Sequence, residues 1–156
     1  IVKTHSEILP AMAKVAEGAE GHNVEVMSTN PTNALGLPSG LDLVLIRPPY
    51  PALSAQLMRP ADVPTFNKEV YAALKPGGVY VILDHSAAKG SGLTATETLH
   101  RIDRDVVVAE VLKAGFKLDG ESAIFANPAD PRDKMVFHPS IRGKTDQFLL
   151  RFRKPK

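Results

Sequence analysis

The sequence predicts an α/β fold with a mostly parallel sheet that closes on an antiparallel C-terminal strand pair. Three observations predict it. Helical and strand segments alternate in the order α-β-β-α-β-α-β-β, the pattern of crossover connections between parallel strands. Two runs, LDLVLI (41–46) and VYVIL (79–83), are nearly continuously apolar and of strand length, which suits strands covered on both faces. Both end in polar residues, RPPY (47–50) and Asp84-His85. Open α/β sheets bind their ligands at such C-terminal strand ends.

In chain order, Ser6 can cap a helix from about Glu7 to Glu17, with Gly18 ending it. Ile8, Met12 and Val15 keep helical spacing, and Pro10 is tolerable near the first turn. NVEVM (23–27) reads as a short strand and TNPTNALGLPSG as a loop. After LDLVLI, Thr65 is placed to cap a helix running to Leu74, with Val70, Tyr71 and Leu74 inward. Lys-Pro-Gly-Gly (75–78) turns the chain into VYVIL. Asp103 caps a helix from Arg104 to Ala114 that Gly115 stops. ESAIFAN (121–127) and DQFLLRFR (146–153) read as the two closing strands. The Pro-rich loop between them exceeds usual loop lengths, a sign of function or mobility.

The 156 residues suffice for one domain with a real core, so a single domain over 1–156 is expected. The net charge is only +2, and much of the basic excess sits in RFRKPK, read as a solvated tail. That is too sparse for a nucleic-acid surface. There is no cysteine, which excludes thiol catalysis, disulfides and Cys-ligated zinc. No run approaches the ~20 apolar residues of a membrane span. No signal peptide is visible, and a cytoplasmic location is favoured over secretion. The chain starts at Ile rather than Met, so a processed or truncated protein is one expectation.

The polar strand ends carry the candidate chemistry. His85 has the ring pKa range of a general base near neutral pH. The bland alternative has Asp84 capping a turn and His85 filling the crevice wall. His100 and Arg101, in LHRID, precede a helix. His100 can face the crevice with His85. Arg101 either binds substrate or pairs with a carboxylate such as Asp84. Arg47 carries donors only, so it can hold a carboxylate or phosphate but cannot accept from an amine. In SIRGKTDQF (140–148), Arg142, Lys144 and Asp146 either clamp an anionic substrate or form a salt-linked turn. No metal is expected, because Asp84, His85 and His100 fit no standard zinc spacing. Ser86 beside His85 suggests a hydrolase, but a G-x-S-x-G elbow is lacking. His5, His22 and His138 read as surface residues.

LDLVLI-RPPY, LKPGGVYVILDH, and the helix and strand pair that follow resemble a Rossmann-like class I S-adenosylmethionine-dependent methyltransferase. DHSAAKGSGLTATETLHRID, NPADPRDKMVF and SIRGKTDQFLLRFRKP resemble a bacterial group of methyltransferases of unassigned substrate. The likeness is good over 70–156, fair over 41–69 and weak before. It implies S-adenosylmethionine as cofactor and a small-molecule acceptor. It implies Asp84, His85 and His100 at the reacting centre, with Tyr50, Arg101 and Arg142 on the acceptor side. On the cofactor side it implies Asn33 and Ala34 at adenine, Glu7 in the place of the ribose-binding acid, and Arg47.

The departure lies at the N-terminus. The family opens with a strand and a D/E-x-G-x-G loop, and the one G-x-G here, GSG at 90–92, follows the wrong strand. Either the chain is a fragment, or its cofactor site is incomplete. Loss of the first strand would leave an open apolar edge, so a homodimer is possible. Two further readings stay open: a degenerate, non-catalytic methyltransferase fold that binds a partner, and a hydrolase with His85 or His100 as base.

Overall fold

The structure is a computed structural model, described here for residues 14, 17, 18, 23–25, 35–47 and 62–156. The chain divides into two units, Ile1–Asn30 and Pro31–Lys156. In the first, Lys14 and Glu17 are helical, and the Gly18 amide donates to the Lys14 carbonyl at 3.0 Å. Asn23–Glu25 form no strand, unlike the expectation for 23–27. The rest of the expected first helix, with Ser6 and Glu7, lies outside the described residues.

The second unit contains β1 (Leu41–Ile46), α1 (Val63–Ala73), β2 (Leu74–His85), α2 (Arg104–Lys113), β3 (Lys117–Ser122) and β4 (Gln147–Arg153). The strands line up as β1-β2-β4-β3. β1 pairs with β2 in parallel, and β4 runs antiparallel to both β2 and β3. β1, β2 and β3 therefore share one direction, with β4 inserted against them. No described helix is long and apolar enough to cross a membrane.

α1 starts two residues before the expected Thr65 cap. Its N-cap is Asp62, Pro64 occupies the first turn, and the Thr65 hydroxyl donates back to the Asp62 carboxylate. Pro suits that turn because its missing N–H has no helical partner there. The helix ends at Ala73, where Lys-Pro-Gly-Gly begins a bulged entry to β2. Gly77 has φ 79°, and a Cβ on Gly78 would come within 2.8 Å of the Lys75 carbonyl oxygen. Both glycines are thus required by geometry, one by φ and one by close approach. α2 begins as expected: the Asp103 carboxylate accepts from the Asp105 amide at 3.0 Å.

The core lies between these helices and one face of the sheet. Tyr80 and Ile82 of β2, with Leu150 and Phe152 of β4, meet Val70 of α1 and Val107 and Val111 of α2. Tyr80 and Phe116 pack tilted at 5.3 Å, and the Tyr80 hydroxyl donates to buried Asn67 at 3.3 Å. Each buried side chain of this size contributes about 1.5–3 kcal/mol through burial.

Three expectations change. β1 is not covered on both faces: Val44 and Ile46 join the core side, while Leu43 and Leu45 are 54% and 57% exposed. The strand expected at 121–127 runs instead over 117–122, leaving Ile124 and Phe125 exposed in the following turn. Register explains this: β4 pairs Leu149–Arg153 with Ser122–Lys117, with a bulge at Asp119. Finally, RFRKPK is no solvated tail. Arg151 and Arg153 both pair with Asp119. Lys154 donates to the Tyr71 and Leu74 carbonyls at 2.7 and 2.6 Å, closing the C-terminus of α1.

Candidate functional site

β2 carries Asp84 and His85 to the C-terminal end of the parallel strands. Consecutive strand residues project to opposite faces. Asp84 therefore joins the covered face, fully buried opposite Phe148, and its carboxylate accepts the His85 amide at 2.6 Å. His85 stands on the other face, half-buried opposite Gln147. Its Nδ1 shares a 2.8 Å hydrogen bond with the hydroxyl of buried Thr145. Among the described residues that leaves Nε2 as the nitrogen open to a ligand.

The His85 ring pKa is lowered from 6.5 to about 4. Burial is the main cause, and the Arg101 cation adds to it. Asp130 opposes both, while Arg47 and His100 act in the same sense as burial. The imidazole is therefore neutral across the physiological range, and a weaker base than an ordinary histidine.

The segment after His100 is tied to the end of β2 through the backbone: the Ile102 amide donates to the His85 carbonyl at 3.1 Å, and Ser86 bridges Ile102. His100 has φ 53°, a left-handed conformation that costs a non-glycine residue about 1–3 kcal/mol. Its ring lies 5.6 Å from that of Phe137.

Arg101 is corrected. Its side chain is wholly buried and committed to structure. It donates to the Lys134 carbonyl (3.0 Å), the Ser86 carbonyl (3.0 Å) and the Asp130 carboxylate, at 3.2 and 2.8 Å. It has no face for a substrate, and its carboxylate partner is Asp130 rather than Asp84. Burial alone would raise the Asp130 carboxyl. The Asp146 amide, the Arg101 guanidinium and the Arg132 amide together hold it below its usual range. Asp146 is buried as well, accepting from the Asn127 amide at 2.7 Å and from Arg132 at 2.9 Å. This Arg101–Asp130–Arg132–Asp146 array pins the long loop between β3 and β4 to the end of β2. The loop is anchored by Val136 and Ile141 as well, both buried.

Of the proposed anion clamp, Asp146 is thus a structural partner of Arg132, while Arg142 and Lys144 are exposed on the 138–144 turn. Arg47 follows β1 and is exposed. Tyr50, Asn33, Ala34 and Glu7 lie outside the described residues, as do His5 and His22. His138 is exposed and bonds Ser140 at 2.8 Å. Ser86 lies on the strand face opposite His85, so the two form no nucleophile–base pair. Among the described residues no acidic, His or Cys cluster could hold a metal.

A cleft of about 540 Å³ opens at the same sheet end, between the N-terminus of α2 and the ends of β3 and β4. Its charged lining is mostly engaged: Arg104 with Glu121 and Asp105, Asp103 with the Gly90 and Gly92 amides, Arg132 with Asp146. Neither His85 nor His100 lines it. The geometric site with an open ring nitrogen is the His85 side.

Thr145, Asp130, Arg132 and Phe137 were not singled out in the sequence. The one hint was the charged, proline-rich D-P-R-D at 130–133.

No family model matches the chain, and no curated protein matches it. Many solved structures do. A possible exported protein from Bordetella parapertussis is 15% identical with a TM-score of 0.62, covering 96% of this chain and 51% of its own. The [4+2]-cyclase SpnF is 14% identical at 0.59, covering 94% and 62%. A 1,6-didemethyltoxoflavin-N1-methyltransferase from Burkholderia thailandensis, solved with its substrate and S-adenosylhomocysteine, is 15% identical at 0.59, covering 94% and 57%. Several others are S-adenosylmethionine-dependent methyltransferases. The chain therefore has the Rossmann-like α/β fold of class I S-adenosylmethionine-dependent methyltransferases. It spans 62% of the SpnF chain, 40% of the S-adenosylmethionine-dependent methyltransferase SibL and 51% of the Bordetella protein.

Proposed function

We propose that this chain takes part in S-adenosylmethionine-dependent methyl transfer to a small-molecule acceptor, with His85 receiving the acceptor's proton. The observation that carries it is the neutral His85 ring, fixed at Nδ1 by Thr145 and open at Nε2, at the ligand end of a methyltransferase-type sheet. Residues 1–156 form one methyltransferase-like domain in this reading, and its complete sheet is mostly parallel. A homodimer, checked by sedimentation velocity, belongs to the same reading.

The residues present fit the acceptor half of such a site. Of the expected cofactor residues only Arg47 is described, and it can bind a carboxylate. S-adenosylmethionine, when bound, supplies an electrophilic methyl on a sulfonium sulfur. In the tautomer whose Nδ1–H donates to the Thr145 hydroxyl, His85 then holds the acceptor heteroatom at Nε2 and takes its proton. His100 walls the site. Asp84 acts through the backbone by fixing the His85 amide. Alignment of the reacting atoms carries most of the rate, since the displacement needs no covalent protein intermediate.

Calorimetric titration with S-adenosylhomocysteine tests the cofactor half. Micromolar binding that His85→Asn leaves intact, with methyl transfer to a phenol panel reduced about 100-fold by that variant, is expected for a lost general base. No binding by the protein would overturn the reading and favour the non-catalytic one.

A further inference from the structure

The loop between β3 and β4 carries exposed apolar side chains next to the Leu99–His100 segment. Phe137 is 58% exposed and Met135 40%, while Val136 between them is buried. The Val136 amide donates to the Leu99 carbonyl at 3.1 Å, so this segment lies alongside Leu99 and His100. Met135 and Phe137 are therefore both exposed on a turn that is itself anchored. Phe137 and His100 form a pair at 5.6 Å with their planes inclined by 55°.

Two features separate this pair from a chance exposed ring. His100 is held in a left-handed conformation by bonds on the residues after it, from the Arg101 amide to Ala95 (3.3 Å) and from Ile102 to His85 (3.1 Å). Such strain persists where surrounding structure enforces it, and it clusters at ligand sites. The second feature is proximity: His100 lies near enough to His85 to act on its charge, and the two segments are joined by the Ile102–His85 backbone bond. The exposed phenyl, with the imidazole inclined against it, offers a polarisable aromatic face suited to stacking a ring rather than to holding a charged chain.

We propose that the Phe137–His100 wall is a stacking site for a planar, ring-bearing apolar molecule whose hydroxyl or amine points at His85. The inference rests on the reading of the previous subsection in making that molecule the methyl acceptor. It goes beyond that reading in assigning the acceptor's class and in giving Phe137 a role in specificity.

The test needs no cofactor. 1-Naphthol and its saturated, non-planar counterpart decahydro-1-naphthol are titrated into the protein, read by calorimetry and by the His imidazole NMR signals, assigned with His85→Asn and His100→Asn. The expected result is about tenfold tighter binding of the planar compound, with shifts of the His85 and His100 rings. Phe137→Ala should remove that preference and Phe137→Leu should not restore it, with the melting temperature of both variants unchanged. Equal binding of the two compounds, an unaltered preference in Phe137→Ala, or shifts confined to other histidines would overturn the proposal. The two readings fail separately. Ring binding without S-adenosylhomocysteine binding keeps the stacking site and removes methyl transfer. The reverse keeps methyl transfer and removes the stacking site.

Discussion

The two faces of the sheet are made by the same strands, yet they differ in kind. On one, Tyr80, Ile82, Leu150 and Phe152 are fully buried beneath α1 and α2. On the other, Leu43 and Leu45 are more than half exposed, Arg151 is exposed beside Gly120, and a shallow groove of about 250 Å³ runs past Val81 and Leu149. The covered face holds the fold together. The other face ends in the half-buried ring of His85. Strand alternation lets adjacent residues serve these two ends: Asp84 is buried as structure, and His85 is presented.

The sharpest way to break this contrast is at the junction where the covered face meets the long loop. Asp130→Ala leaves Arg101 buried without its carboxylate, and stability should fall by about 3–5 kcal/mol in urea unfolding. A fall below ~1 kcal/mol would mean the loop is not part of the folded unit. Next comes a matched pair of deletions. Phe152→Ala on the covered face should cost about 3–5 kcal/mol and Leu45→Ala on the open face under ~1 kcal/mol. Similar losses would mean the open face is packed in solution.

A smaller effect concerns pH. The His85 pKa is about 4 folded and 6.5 in the unfolded chain. The unfolded state therefore binds the extra proton between these values. The contribution is fully present above pH ~6.5 and is lost as pH falls towards ~4. Water reaching the half-buried ring screens it to on the order of 1 kcal/mol. His85→Asn should flatten that part of the stability–pH curve, and an unchanged slope would assign it to other groups. The smallest expected change is Leu43→Lys, within ~0.5 kcal/mol in the monomer. A loss of dimer in sedimentation with unchanged melting would place self-association on the open face.

The parts legible in the sequence were those set by local chemistry. Asp103 caps α2 because a carboxylate reaches the amide two residues on, and Gly115 (φ 104°) ends that helix because it alone adopts its backbone angle easily. LDLVLI announced β1 through β-branched and leucine content. β3 was not legible: K-L-D-G-E-S has one large apolar residue, and its strand character comes from pairing with β4, not from its own pattern. Nor was the partner of Arg101. Asp130 lies 29 residues on, and no local rule selects it over Asp84. His85 and His100 were visible as residue types, whereas Thr145, 60 residues from its ring partner, and the Phe137 wall exist only once the loop is folded down.

The strand order β1-β2-β4-β3 has a further consequence for assembly in time. Among the described residues β3 has β4 as its sole neighbour, so β3 can pair only once β4 is in place beside β2. Until Gln147–Arg153 arrives, β2 presents an open, largely apolar edge and β3 has nothing to join. Such non-local closure slows folding and leaves a sticky intermediate. Refolding yield should therefore fall steeply with protein concentration, and a peptide of the β4 sequence added in trans would compete for the vacant slot during refolding.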